Sequence, residues 1–135
     1  MNMRDVMRAA QRKGLFDALQ EDRHLREQLT VSKMEYRAAI NSLIQVAESD
    51  TSGGRAAAQV LLSLYNGYEY HMDLVDLGVL DLRNFQQALI AMRGRVILSI
   101  EPHQIIQDGA KRFERLAERW AHLNVEKRYI TEHPS

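Results

Sequence analysis

At 135 residues the chain has the length of one domain, long enough to bury a core without metal or disulfide staples; with 45% hydrophobic and 27% charged residues it is globular in composition, which excludes disorder of the whole chain. Eighteen basic side chains balance eighteen acidic ones, so no excess charge marks the chain for nucleic acid, whose phosphates demand a basic stripe. Cysteine is absent, which excludes thiol catalysis, disulfides and cysteine-ligated zinc together.

Charge is also level along the chain: residues 1–30 carry six basic and five acidic groups, and residues 102–135 the same, with a slightly acidic middle. No segment approaches the roughly 20 apolar residues of a membrane span. The N-terminal sequence lacks the long apolar core of a signal peptide. A cytoplasmic protein that does not enter membranes is expected.

Residues 3–28 read as helix. Met3, Val6, Met7 and Ala10 follow the i, i+3, i+4, i+7 pattern, Gly14 interrupts it, and Leu15, Phe16, Leu19, Leu25 and Leu29 resume it. One bent helix or two short ones satisfy the pattern. Residues 1–30 are expected to form an amphipathic arm, a core domain to occupy 31–125, and 126–135 to be a tail.

The second helix opens on a capping box, Ser32 to Glu35, in which each side chain satisfies the other's backbone N–H. Tyr36, Ile40, Leu43, Ile44 and Ala47 form its apolar face. In "SDTSGG", residues 49–54, Asp50, Thr51 and Ser52 all suit an N-cap. The glycine pair lacks the preceding strand and the Lys-Ser/Thr of a phosphate-binding loop. A third, alanine-rich helix follows over about residues 53–65, with Ala57, Val60, Leu61 and Leu64 toward the core. Asn66 and Gly67 both tolerate positive φ and are expected to end it in a left-handed turn.

Leu74, Leu77 and Leu80 recur every third residue, which fits a short or 3₁₀ turn packed on the core. Asp73 and Asp81 are candidate caps. Leu82, Phe85, Leu89 and Met92 mark a helix over about residues 82–93 that Gly94 should stop. "RVILSIE", residues 95–101, is the one β-like run and reads as an extended connector or a helical turn. Beyond Pro102 a short turn, a break at Gly109 and a final helix are expected, with Phe113, Leu116, Trp120 and Leu123 on one face. The fold class is all-α, a compact single-domain bundle of five or six helices with room for one short extended segment.

Chemistry-bearing constellations are sparse. His24, His71, His103, His122 and His133 include no pair at the i, i+4 spacing that puts two ligands on one helix face. No serine sits in a nucleophile elbow. No catalytic residue, cofactor site or metal site is expected. The densest cluster is "YNGYEYHMDLVD": Tyr65, Tyr68 and Tyr70, then His71, Asp73 and Asp76. Amphipathic rings are favoured at protein interfaces and as base-stacking platforms. The charges beside these tyrosines are acidic, which turns the reading from nucleic acid to protein. A tyrosine-packed helix corner with aspartate caps is the plain structural alternative.

The stretch from "AINSLIQVAESDTSGGRAAAQVLLSLYNG" through "DLVDLGVLD", with "RFERLAERW" later, resembles a small uncharacterised family of bacterial accessory proteins of plasmids, integrative elements and prophages, chiefly proteobacterial. The resemblance covers roughly residues 39–120 and falls on Asp50, Gly53, Leu61, Tyr65, Asn66, Asp73, Leu74, Asp76, Leu77 and Asp81. It supplies no catalytic or cofactor residues. It implies a mobile-element setting, in which small proteins often act by binding host proteins.

The function expected is a non-enzymatic protein-interaction module whose partner contacts include Tyr65, Tyr68, Tyr70, His71, Asp73 and Asp76, with a homodimer through the N-terminal helix as a further expectation. An inhibitor of a host defence complex, of anti-CRISPR or anti-restriction type, is a specific version. A DNA-binding regulator is a rival in another class, weakened because the third helix offers only Arg55 and Gln59 for base edges.

Overall fold

The structure is a computed structural model that describes residues 2–132, with side chains described through residue 128. His133 and the end of the expected tail lie outside the described residues. The chain divides into two compact units, Met1–Thr30 and Val31–Ser135. Six α-helices are present among the described residues, and no strand.

The first unit is a single helix, α1, Met3–Leu29. Asn2 caps it by accepting the Asp5 N–H at 2.9 Å. Gly14 does not split it: one glycine costs a helix interior about 1 kcal/mol, and good helix formers surround it. No residue of α1 is buried.

The second unit is built around α2, Lys33–Ala47, and α3, Ser52–Tyr65. The capping box that starts α2 is present in both directions, each bond 3.0 Å long. Thr51 caps α3 through the Gly54 N–H at 2.9 Å. α2 packs against α3 and against α4, Leu82–Arg93, while α3 also meets α5, Gly109–Arg119. Tyr36, Ile40 and Leu43 of α2, Val60, Leu61 and Leu62 of α3, and Phe113 of α5 are buried together. Each such side chain contributes about 1.5–3 kcal/mol by leaving water. Trp120 and Leu123 close the core, and the Trp120 indole N–H donates to the Ala47 carbonyl at 2.8 Å.

Several expectations are corrected. Asn66 leaves α3 at φ −147°, and no glycine has positive φ among the described residues. The turn is made instead by the Asn66 side chain, whose Oδ1 accepts the Tyr68 and Glu69 N–H groups at 3.2 Å each. α4 buries Ala88 and Ala91 and packs Phe85, Ile90 and Met92 partly against the core, while Leu82 is exposed. Gly94 does not stop the helix; it is helical and continues into a π-helical turn, Gly94–Leu98, which ends at Ser99 in the left-handed conformation. Gly94 is there because the Tyr36 ring lies where a Cβ would go. The β-like run is therefore a helical turn leading into an extended connector. The break before α5 falls at Asp108, φ 55°, rather than at Gly109.

The segment expected as a tail begins inside a sixth helix, α6, Val125–Glu132. Its start is tied down: the Val125 N–H donates to the Glu69 carbonyl at 2.8 Å, and Tyr70 forms an isolated bridge with Asn124.

Candidate protein-interaction surface

The sequence from α3 to α4 turns on one buried polar side chain. Gln59, in the middle of α3, is almost fully buried. Its amide oxygen accepts the Asp73 N–H at 2.9 Å and its amide nitrogen donates to Asp76 Oδ2 at 2.8 Å. A buried amide is costly unless both ends are bonded, and here both are. Asp73 also accepts the Val75 N–H at 3.0 Å, which starts a 3₁₀ turn, Val75–Val79. Arg128 of α6 completes the bracing: its guanidinium lies 3.7 Å from Asp76 and 4.0 Å from Asp73, and donates to the His71 carbonyl at 3.1 Å.

The structure thus brings Asp73, Asp76 and the His71 backbone together, and assigns the aspartates a positioning role. It separates the tyrosines. Tyr65 packs its ring against His103 and Phe113, with centroids 5.2 and 5.0 Å away. Tyr70, expected at the surface, is only 8% exposed and belongs to the core; burial first and the Glu69 charge second push its phenol pKa up. Tyr68 is 95% exposed. It flanks an open groove with Asn66, Arg95, Val96 and Ser99.

The larger exposed apolar surface comes from residues that periodicity placed elsewhere. Only Leu77 and Leu80 of the leucine row turn inward; Leu74, Val75, Val79 and Leu82 stand in solvent, Val75 and Leu82 each 84% exposed. Leu74, Val75 and Leu82 line, with Leu77, Gly78, Leu80 and Phe85, a shallow hollow of about 380 Å³. Asp73 and Asp81 are exposed beside it, and Asp81 caps α4 by accepting the Asn84 N–H at 2.7 Å. A 3₁₀ turn eclipses side chains at i and i+3, which sets Val75 and Val79 off the inward row of Leu77 and Leu80. That interleaving was the sequence signal for an exposed apolar surface.

No group of three or more His, Asp or Glu side chains among the described residues is placed to hold a metal ion. No helix among the described residues is long and apolar enough to cross a membrane. Neither the curated proteins nor the solved structures include a match to this chain. A family match covers residues 37–121, which takes in α3, the braced 3₁₀ turn and α4, and leaves α1 and α6 outside. The chain belongs to that family, the family of unknown function DUF7673.

Proposed function

We propose that this protein is a non-enzymatic interaction module, carried by a bacterial mobile element or phage, that binds another protein through the 3₁₀ turn and the start of α4. One observation carries the reading: Leu74, Val75 and Leu82 are exposed around one hollow, where a turn braced by Gln59, Asp76 and Arg128 meets the start of α4. Exposed apolar patches rimmed by polar residues mark protein-interaction sites, and a braced backbone lowers the entropic cost of association. The partner would present an apolar surface with basic groups at its rim, opposite Asp73 and Asp81. Tyr68 supplies a second, separate contact point. The mobile-element setting rests on the motif resemblance alone and favours a host protein, including a defence complex, as the partner. α1 supplies self-association.

Within this reading α3 is not a DNA-recognition helix. Gln59, one of its two side chains suited to base edges, is buried and committed to Asp73 and Asp76.

The test compares affinity capture by the wild type with capture by Val75→Asp/Leu82→Asp and by Tyr68→Ala, each checked for native helicity. The reading expects the aspartate pair to lose the captured protein and Tyr68→Ala to weaken it. Equal recovery by the aspartate pair and the wild type would remove this surface from the account.

A further inference from the structure

α1 carries an apolar face that nothing in its own unit covers. It is 27 residues long, about 40 Å, and no residue of it is buried. Eight large apolar side chains stand exposed along it, from Met3 at 76% to Leu29 at 44%. Met3, Met7, Ala10, Gly14, Ala18, Leu25 and Leu29 fall in one stripe, three or four residues apart except between Ala18 and Leu25, where Glu21 interrupts it.

That stripe is nearly symmetric end to end. Reflection about position 16 exchanges Met3 with Leu29, Met7 with Leu25, and Gly14 with Ala18, and breaks at Ala10, which it sets against Asp22. A sequence with this symmetry presents to a reversed copy of itself the same order of large, small and large residues. The small residues fall at the centre, where two helix backbones approach closely, and a Cβ at Gly14 would meet nothing within its own chain.

Charge has a polarity along the same helix. Arg4, Arg8, Arg12 and Lys13 outweigh Asp5 in the first half; Asp17, Glu21, Asp22 and Glu27 outweigh Arg23 and Arg26 in the second. Only Asp5 and Arg26, in the terminal turns, follow the helix dipole. Between those turns most of the charges run the other way, where the influence of the dipole has fallen off. The polarity gains little from the dipole of a solitary helix. Against a reversed copy it places basic half on acidic half twice over, and it sets the two dipoles antiparallel.

We propose that the protein self-associates through an antiparallel pair of α1 helices, with the two-fold axis level with Phe16. This rests on the self-association arm of the proposed function and gives it a geometry. A parallel pair would set basic half on basic half and lose the reflection. In the antiparallel pair Met7 lies level with the partner's Leu25. Lys13 lies level with position 19, between the partner's Asp17 and the partner's Glu21.

The full chain is tested by sedimentation equilibrium over a concentration series, then by cross-linking. The mass expected is twice 15.6 kDa, and Met7→Asp/Leu25→Asp should halve it while Trp120 fluorescence stays native. The absence of native cysteine makes disulfide mapping clean. Met7→Cys mixed with Leu25→Cys should form an intermolecular disulfide on oxidation. Neither variant alone should, because copies of either position lie about 27 Å apart in an antiparallel pair. A wild-type mass of 15.6 kDa at every concentration overturns the proposal, and recruitment of that monomer to anionic vesicles would give the face to a membrane surface. A disulfide formed by Met7→Cys alone overturns the antiparallel geometry. A monomer that still captures a protein through Val75 and Leu82 overturns the pairing and leaves the interaction surface standing.

Discussion

Replacing Gly94 by alanine separates packing from helix propensity, because the two predict opposite signs. Gly94 has ordinary helical geometry, φ −59° and ψ −46°. Propensity alone would therefore stabilise an alanine there by about 1 kcal/mol. The added Cβ, however, would fall on the Tyr36 ring, meeting its Cγ, Cδ1 and Cδ2. That ring has little room to yield: Tyr36 is fully buried, and its hydroxyl donates to the Ile100 carbonyl at 2.7 Å. Overpacking of this kind costs about 1–3 kcal/mol; less the propensity gain of about 1 kcal/mol, a net loss of up to about 2 kcal/mol is expected. For a domain near 100 residues each kcal/mol moves Tm by about 4–8 °C. Urea titration followed by far-UV circular dichroism and by Trp120 fluorescence reads the change. In a Tyr36→Leu background the same alanine should be neutral or stabilising, a coupling of at least about 1 kcal/mol between contacting residues. A rise in the wild-type midpoint, or equal cost in both backgrounds, would refute the packing argument.

Other perturbations follow from single bonds. Tyr36→Phe removes the hydroxyl bonded to Ile100 and should cost about 0.5–1.5 kcal/mol in urea titrations. Burial pushes the Tyr36 phenol from near 10 up to about 12. A raised folded value means the folded state holds this proton more tightly, so the contribution to stability is complete below pH 10 and is lost as pH rises toward 12; alkaline titration of Tyr36→Phe should show a shallower fall than the wild type. Gln59→Leu strips the Asp73 N–H and Asp76 of their shared partner; amide hydrogen exchange should rise over residues 73–79, with a stability loss of about 1–3 kcal/mol. Trp120→Phe leaves the buried Ala47 carbonyl without its indole donor and should cost a similar amount by thermal melting. Tyr68→Ala touches a side chain that is 95% exposed and should leave Tm unchanged.

Local signals were legible in the sequence where a short-range mechanism fixes them. The Ser32–Glu35 box, the Thr51 and Asp81 caps and the 3₁₀ spacing of the leucines all depend on residues within one turn. The inward row Phe113, Leu116, Trp120 and Leu123 was legible for the same reason. What stayed hidden depends on partners far along the chain. Tyr70 is buried because Asn124 and Val125 close over the corner. A glycine stands inside a helix at position 94 because a tyrosine 58 positions earlier occupies its side-chain space. α4 turns Ala88 and Ala91 to the core, with Phe85, Ile90 and Met92 partly buried beside them, and leaves Leu82 exposed. The β-branched run before Pro102 kept a helical turn because no second strand exists among the described residues to pair with it. Asp73 and Asp76 stood out in the sequence, but their shared partner Gln59 lies on another helix and Arg128 in the expected tail. The braced surface was therefore visible only as a cluster of residue types.

Hydrogen–deuterium exchange of the protein alone and with its captured partner tests the interaction surface most directly. The account predicts added protection concentrated over residues 74–85, with a smaller effect at Tyr68 and none in the centre of α3, which is already buried. Protection confined to residues elsewhere, with 74–85 exchanging as in the free protein, would contradict it.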